Sequence, residues 1–339
     1  MKRILMIATG GTIASSEGGN GLAPVFGVEA FIEMIPEARK MCKITGKTIM
    51  NIDSSEMTVE MIKKIAETIY ESYFDFDGFI VTHGTDTMSY TAAALTYMLQ
   101  NIKKPVVITG SQKAIGASAS DAQKNIIDAV RFALEAVNGV FISFGGKIIL
   151  GTRAKKIRTR SINAFESINF PCAAVFESDK INISKEFQEI MSESLEKPFE
   201  FLGSLCADIM AIKLFTGIKP DIFDYIKENY RGVIIESFGI GGIPSEENNI
   251  LAKVDELIEA GVAVVITTQC LEEGIDLGIY QVGRKLSEKA IIRSGDMNFE
   301  ATAAKLMWTL ANLKSNEDIK AFIETPFFGD ISKVNREIS

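Results

Sequence analysis

Four polar loops in the first half of the chain carry the residue types of acyl-transfer chemistry. They are Thr9-Gly10-Gly11-Thr12-Ile13-Ala14-Ser15, Asn51-Ile52-Asp53-Ser54-Ser55, His83-Gly84-Thr85-Asp86-Thr87-Met88 and Thr109-Gly110-Ser111. The third packs a hydroxyl, a carboxylate and the single histidine of the chain into four residues. A threonine hydroxyl is a nucleophile near neutral pH only when a base or a neighbouring charge manages its proton. Lys156, in the basic run Arg153-Ala154-Lys155-Lys156 with Arg158 and Arg160 close by, is a cation that could complete such a relay.

Taken one at a time, these signals have ordinary structural explanations. Gly10-Gly11-Thr12 reads as a turn in which glycine takes positive φ and threonine caps the next segment. It matches neither G-x-G-x-x-G nor G-x-x-x-x-G-K-[ST], so a phosphate loop is not supported. Thr85 or Asp86 could cap the helix after them, and Ser54 or Ser55 the helix near Thr58. A Lys-Lys pair is usually a solvated loop, and His83 could be a packed, hydrogen-bonded imidazole.

The elements around these loops alternate. Apolar runs over 3–9, 47–52, 78–82, 105–109 and 139–144 read as strands, with helical patterns over 28–34, 58–73, 88–100 and 120–137. In the second helix Met61, Ile62, Ile65, Ile69 and Tyr73 share one face. Alternating apolar strands and helices predict a mostly parallel sheet covered on both sides. Parallel strands would bring the four loops to one edge, where open α/β sheets bind ligands. Residues 147–151 look like the return arm of a hairpin, and the charged, weakly periodic stretch from about 178 to 203 reads as a linker. Beyond it, strands over 209–215, 232–236, 263–267 and 290–292 alternate with helices near 221–228, 250–260 and 299–313. The expected fold is therefore α/β in two domains: a larger N-terminal catalytic domain (1–180) with a mostly parallel sheet flanked by helices, a linker (181–207), and a smaller C-terminal α/β domain (208–339).

Composition narrows the function further. At 339 residues the chain is long for a single core. A net charge of −8 argues against a nucleic-acid surface, which needs a basic footprint. No window approaches the ~18 uninterrupted apolar residues of a membrane span, and the apolar N-terminus is broken at Thr9-Gly10-Gly11-Thr12, too early for a secretory signal. Cys42, Cys172, Cys206 and Cys270 are scattered without C-x-x-C pairing, as suits reduced thiols in a cytoplasmic protein. One histidine and no cysteine pair make a zinc site unlike this chain, and neither a metal nor a cofactor is expected.

The combination of Thr9-Gly10-Gly11-Thr12-Ile13-Ala14 with His83-Gly84-Thr85-Asp86-Thr87-Met88 resembles the bacterial and archaeal L-asparaginase family. The run Asn163-Ala164-Phe165-Glu166-Ser167-Ile168-Asn169-Phe170-Pro171 and the later Gly295-Asp296-Met297 extend the likeness over nearly the whole chain. Asp53-Ser54-Ser55, Thr268-Gln269-Cys270 and the absent signal peptide resemble the cytoplasmic type I branch. The resemblance implies that Thr12 attacks the side-chain amide and that Thr85, Asp86 and Lys156 manage the proton. It implies that Ser54 and Asp86 grip the two charged ends of L-asparagine or L-aspartate, with Ser55 beside them and Ser111 at the amide end. His83 is then support rather than base. It further implies a homodimer or dimer of dimers, with 239–244 and 274–280, including Asp276, closing a neighbour's site. Three positions and one loop, 112–119 with Lys113 and Ser118, depart from the family. Leu22 stands where many members have a loop tyrosine, and leucine handles no proton. Asn163 replaces a common aspartate. Glu236 replaces the arginine of an allosteric site near Cys270, so allostery is not expected. Two other readings share the fold: a non-catalytic amino-acid sensor, which the missing tyrosine favours, and the ammonia-producing subunit of a tRNA-dependent amidotransferase, whose extra N-terminal domain contrasts with a first strand at Arg3.

Overall fold

The apolar runs of the first half form β1 (Arg3–Gly10), β2 (Lys43–Ile52), β3 (Gly78–Thr82), β4 (Pro105–Thr109) and β5 (Gly139–Phe144). The chain continues through β6 (Lys147–Leu150), an antiparallel pair β7 (Ala154–Lys156) and β8 (Phe165–Ser167), then β9 (Ala174–Glu177) and β10 (Lys180–Ile183). The computed structural model describes residues 1–11, 15–18, 21–24, 28–178, 180–278, 283, 286 and 289–333. It divides into two units, Met1–Gly203 and Ser204–Ser339.

In the first unit eight strands join one sheet in the order β10-β9-β6-β5-β4-β3-β1-β2. β1 to β5 run parallel, and β6, β9 and β10 extend the sheet antiparallel. β3, β4 and β5 are buried throughout, as strands covered on both faces must be. The covering helices include α1 (Val28–Glu33), α2 (Pro36–Met41), α3 (Val59–Glu71), α4 (Met88–Met98), α5 (Ala122–Ala133) and α6 (Lys185–Leu195). On α3 the Thr58 side chain accepts the Met61 N–H at 3.3 Å, and Ile62, Ile65 and Ile69 form the buried face. α4 is buried on nearly every side, which its Ala92-Ala93-Ala94 run permits. The turn after β6 presses on α4: a Cβ on Gly151 would stand 2.8 Å from the Ala92 carbonyl oxygen. That close approach sets β7, and with it Lys156, beside the helix that Thr85 and Asp86 precede.

β1 lies between β3 and β2, so the chain leaves it in one direction and returns on the other side. That is a topological switch point, the place where open α/β sheets bind ligands. The stretch 181–207, expected as a linker, instead carries much of β10, all of α6 and a strand Glu200–Phe201 paired with Leu99–Gln100. Its charged sequence hides one buried anchor: Phe187 is fully buried and meets Phe141 edge-on at 5.3 Å, and Ser184 caps the helix by accepting the Phe187 N–H. The sequence pattern also leaves α2 unmarked except for Pro36 at its first turn, and it starts β2 late.

The second unit is a smaller parallel sheet of β11 (Ile209–Lys213), β12 (Gly232–Ser237), β13 (Ala263–Thr268) and β14 (Ile292–Arg293), in chain order. α7 (Ile222–Asn229), α8 (Ile250–Glu259), α9 (Phe299–Asn312) and α10 (Asn316–Glu324) belong to the same unit, and Ile226, Val233, Ile235, Val254, Leu257, Val264 and Ile266 share its core. α10 is an addition to the expected elements, although Ser315 accepting the Asp318 N–H is an N-cap signal. Among the described residues no helix is long and apolar enough to cross a membrane.

A fully buried ion pair sits in this unit: Lys305 Nζ lies 2.7 Å from Asp330 Oδ2, and both side chains are 0% exposed. Lys305 also donates to the Ile323 and Thr325 carbonyls, so a single ammonium ties α9 to the end of α10 and to the chain beyond it. Removing one partner leaves the other charge buried, which costs about 3–5 kcal/mol. Asp330→Ala is expected to lower the urea midpoint of the second unit accordingly, and Lys305→Met with Asp330→Leu to recover most of the loss. A loss below about 1 kcal/mol for Asp330→Ala would mean the ammonium is not held in a dry site.

Candidate active site

Three loops meet backbone to backbone at the switch point. Gly11 has φ +87°, and a Cβ there would lie 2.6 Å from both N and Cα of Gly84. A Cβ on Gly84 would in turn lie 2.6 Å from Ser54 Oγ. Only glycine at both places lets the first, second and third loops touch. Strand-end threonines tie the same edge together: Thr9 Oγ1 donates to the Thr82 carbonyl at 2.9 Å, and Thr109 Oγ1 to the Ser143 carbonyl at 2.8 Å.

Within this cluster Lys156 Nζ donates to Thr85 Oγ1 at 2.7 Å and to Asp86 Oδ1 at 2.6 Å. The lysine side chain is 17% exposed and the aspartate 63%, so the ammonium is held in the wall while the carboxylate faces water. Thr85 Oγ1, occupied as an acceptor, keeps its own proton for another partner. Ser54 is buried, and its Oγ accepts the Asp86 N–H at 3.2 Å, while its carbonyl accepts the Thr87 hydroxyl at 2.8 Å. The Ser54 O–H has no acceptor among the described residues. The arrangement therefore offers a positioned cation, two hydroxyls and a carboxylate in one cluster.

His83, the residue before Gly84, is 0% exposed. Its Nδ1 lies 2.7 Å from the Gly84 carbonyl oxygen and its Nε2 3.0 Å from Thr91 Oγ1. A carbonyl only accepts, so Nδ1 carries the proton and Nε2 accepts the Thr91 hydroxyl. Burial pushes the imidazole from its usual 6.5 down to about 4, against the pull of the Gly84 carbonyl, which favours the charged form. A neutral ring with both nitrogens engaged inside the protein is not placed to shuttle protons.

Two other expected site residues use their hydroxyls locally. Ser55 is exposed, and both its N–H and its Oγ donate to Asp53 Oδ1, at 2.9 and 2.8 Å. Ser111 is buried, and its hydroxyl donates to the Lys113 carbonyl. The loop that carries Ser111 is held by residues that sequence reasoning missed. Asp121 accepts the Gln112 and Lys113 N–H groups at 3.0 Å each. The Asn125 side chain donates to the Gly110 carbonyl at 2.9 Å and accepts the Gly145 N–H at 3.0 Å. An Asp-x-x-x-Asn pair opening a helix after a polar loop is the signal that could have found them.

Thr12 lies outside the described residues. The loop expected over 16–24 contains a two-stranded hairpin, Ser15–Gly18 against Gly21–Pro24, with Leu22 opposite Glu17. In the second unit Asp276 Oδ1 accepts the Gly278 N–H, a local turn, and 279–280 lie outside the described residues. Among the described residues no group of three His, Cys, Asp or Glu side chains could hold a metal ion.

The chain as a whole is similar to known proteins. The family described as "Asparaginase, N-terminal" matches residues 3–189, and "Glutaminase/Asparaginase C-terminal domain" matches residues 208–323. The chain is 35% identical to the L-asparaginase of Thermococcus kodakarensis over 97% of its own length and 99% of that protein's. It is 31% identical to L-asparaginase 1 of Escherichia coli over 98% of both chains. It is also 33% identical to a glutamyl-tRNA(Gln) amidotransferase subunit of Pyrococcus abyssi, over 99% of this chain and 78% of that one. Among solved structures, the thermostable T. kodakarensis L-asparaginase superposes with a TM-score of 0.90 at 34% identity, covering 98% of this chain and all of that one. L-asparaginase I of Vibrio cholerae superposes with a TM-score of 0.88 at 30% identity, covering 98% and 99%. With both halves matched and the Thr85–Lys156–Asp86 cluster at the sheet edge, the chain belongs to the asparaginase family, enzymes that hydrolyse an amide.

Proposed function

We propose that this chain hydrolyses L-asparagine to L-aspartate and ammonia through Thr12. The observation that carries the reading is Lys156 Nζ within hydrogen-bond distance of both Thr85 Oγ1 and Asp86 Oδ1 in a chain of this family. The substrate carboxylate takes the Ser54 O–H, and the substrate ammonium takes the solvent-facing side of Asp86. Thr12 Oγ attacks the amide carbon, and its proton passes to the leaving ammonia. The Lys156 charge beside Thr85 stabilises the relay's oxygen while the proton is in transit. Breakdown of the tetrahedral intermediate gives a Thr12 ester, and water, activated by the same relay, releases L-aspartate.

The tetrahedral oxyanion needs fixed N–H donors. Gly11 N–H donates to the Ile52 carbonyl at 3.1 Å and is not available for that role, whereas Thr85 N–H has no acceptor among the described residues. Thr85 N–H is therefore the donor this reading assigns. Ser111 and Ser55 line the pocket through backbone or shape rather than through their committed hydroxyls. The working unit on this reading is a homodimer or dimer of dimers in the cytoplasm.

The 33% identity to an amidotransferase component supports a second reading, in which the same chemistry feeds ammonia to a partner enzyme. An ammonia-release assay of the isolated chain on L-asparagine, L-glutamine and their D-forms separates them. Turnover of free L-asparagine with a preference over L-glutamine is the expected result. L-Aspartate binding without any turnover would sink the hydrolase reading.

A further inference from the structure

His83 is not placed to shuttle a proton, yet its ring touches the Gly84–Thr85 peptide directly. The Gly84–Thr85 peptide is trans, since the described chain holds no cis bonds. In a trans peptide the carbonyl and the N–H point in opposite directions. Nδ1–H of the fully buried His83 holds the Gly84 carbonyl inward at 2.7 Å. The N–H of Thr85 must then face away from the imidazole. We propose that His83 is a positioning residue whose Nδ1–H latches the Gly84 carbonyl and so aims the Thr85 N–H at the reacting amide.

The surroundings make the latch rigid. With the proton placed on Nδ1 by the Gly84 carbonyl, Thr91 Oγ1, one turn into α4, donates to the bare Nε2 at 3.0 Å. The His83 N–H donates to the Thr109 carbonyl at 2.9 Å, which anchors the residue to β4. On the far side Gly110 closes against the His83 carbonyl, where a Cβ would stand 2.3 Å away. Gly11 and Ser54 pack against Gly84 from the other two loops, so the peptide has no room to flip once the carbonyl is held. The role is to orient a donor, and it rests on the asparagine-hydrolase reading only for the group that donor contacts.

The chain has one histidine, so nitrogen NMR of protein labelled on histidine reads this ring alone. The expected spectrum has the proton on Nδ1 and a bare, hydrogen-bonded Nε2. A proton on Nε2 overturns the proposal. His83→Leu removes the donor and is expected to lower kcat for L-asparagine by ~10–100-fold with KM changed less than about 2-fold, because the lost alignment matters in the transition state. His83→Asn, whose amide N–H sits near the place of Nδ1, is expected to restore most of kcat. A purely structural histidine would give His83→Leu a lower urea midpoint with unchanged kcat, and that result overturns the latch. Should wild type bind L-aspartate but turn over no amide, the Nδ1–H tautomer would still stand and the hydrolase reading alone would fall.

Discussion

Lys156→Met is expected to lower kcat for L-asparagine hydrolysis by ~10³-fold, within the range that positioned proton-transfer groups contribute. Methionine keeps the length of the stem and removes the charge and the donors. Thr85 Oγ1 then loses the ammonium that sits 2.7 Å away, and an alkoxide forming there has no cation beside it. Asp86 is 63% exposed, so water solvates its carboxylate when Lys156 is gone, and it stays available to the substrate ammonium. Ser54 is untouched by the change, because its partners are the Asp86 N–H and the Thr87 hydroxyl. The loss should therefore fall on kcat, with KM changed by only a few-fold, the pattern of an interaction used in the transition state. Thr85→Ala is expected to behave alike, and the double variant to be little worse than either single one, since the two groups act as one unit. Steady-state ammonia release measures all three. A kcat for Lys156→Met within about 3-fold of wild type would remove Lys156 from the relay.

Much of this site is legible in the chain itself. The strand-then-polar-turn pattern at 78–86 puts Thr85 and Asp86 at a sheet edge, and alternation of strands and helices implies that the Gly10-Gly11 and Ser54 loops join them. Lys156 is harder, because a Lys-Lys pair looks like solvated surface. It is fixed by Gly151 pressed onto the Ala92 carbonyl, a contact between distant parts of the chain that no local pattern records. The hydroxyls are the least legible. Whether a serine faces a substrate depends on which neighbouring acceptor claims it, and Asp53 claims Ser55 as the Lys113 carbonyl claims Ser111. The stretch expected as a linker misleads because one buried aromatic, Phe187, is enough to dock a helix whose other residues are largely polar or charged. His83 reads as support, and the imidazole does lie buried. The direction in which it turns the next peptide depends on a tautomer set by the Gly84 carbonyl, with Thr91 on the following helix serving the other nitrogen.

Thr12→Ala is expected to give the largest loss of all, ~10⁴-fold or more in kcat, because the relay around Thr85 then has no nucleophile to serve. Thr12 and Thr85 are both candidates for the nucleophile, and the geometry around Thr85 argues for the division of labour. Thr85 Oγ1 already accepts a hydrogen bond from a charged ammonium, which stabilises it as a relay oxygen and blunts it as an attacking one. Its carboxylate neighbour is engaged with the same ammonium rather than with the Thr85 proton, so among the described residues no base is poised to strip that hydroxyl directly. The Gly11–Gly84 contact brings the loop that leads to Thr12 against the relay. Thr12→Ala should leave L-aspartate binding intact, since Ser54 and Asp86 do not depend on it. Adding Lys156→Met to Thr12→Ala should cost almost nothing more, because a relay without its nucleophile has no rate left to lose. Acid-quenched wild-type enzyme, digested and weighed, should carry the aspartyl ester on the peptide that contains Thr12. An ester on the peptide that contains Thr85, or a Thr12→Ala variant within about 10-fold of wild type, would reverse the two roles.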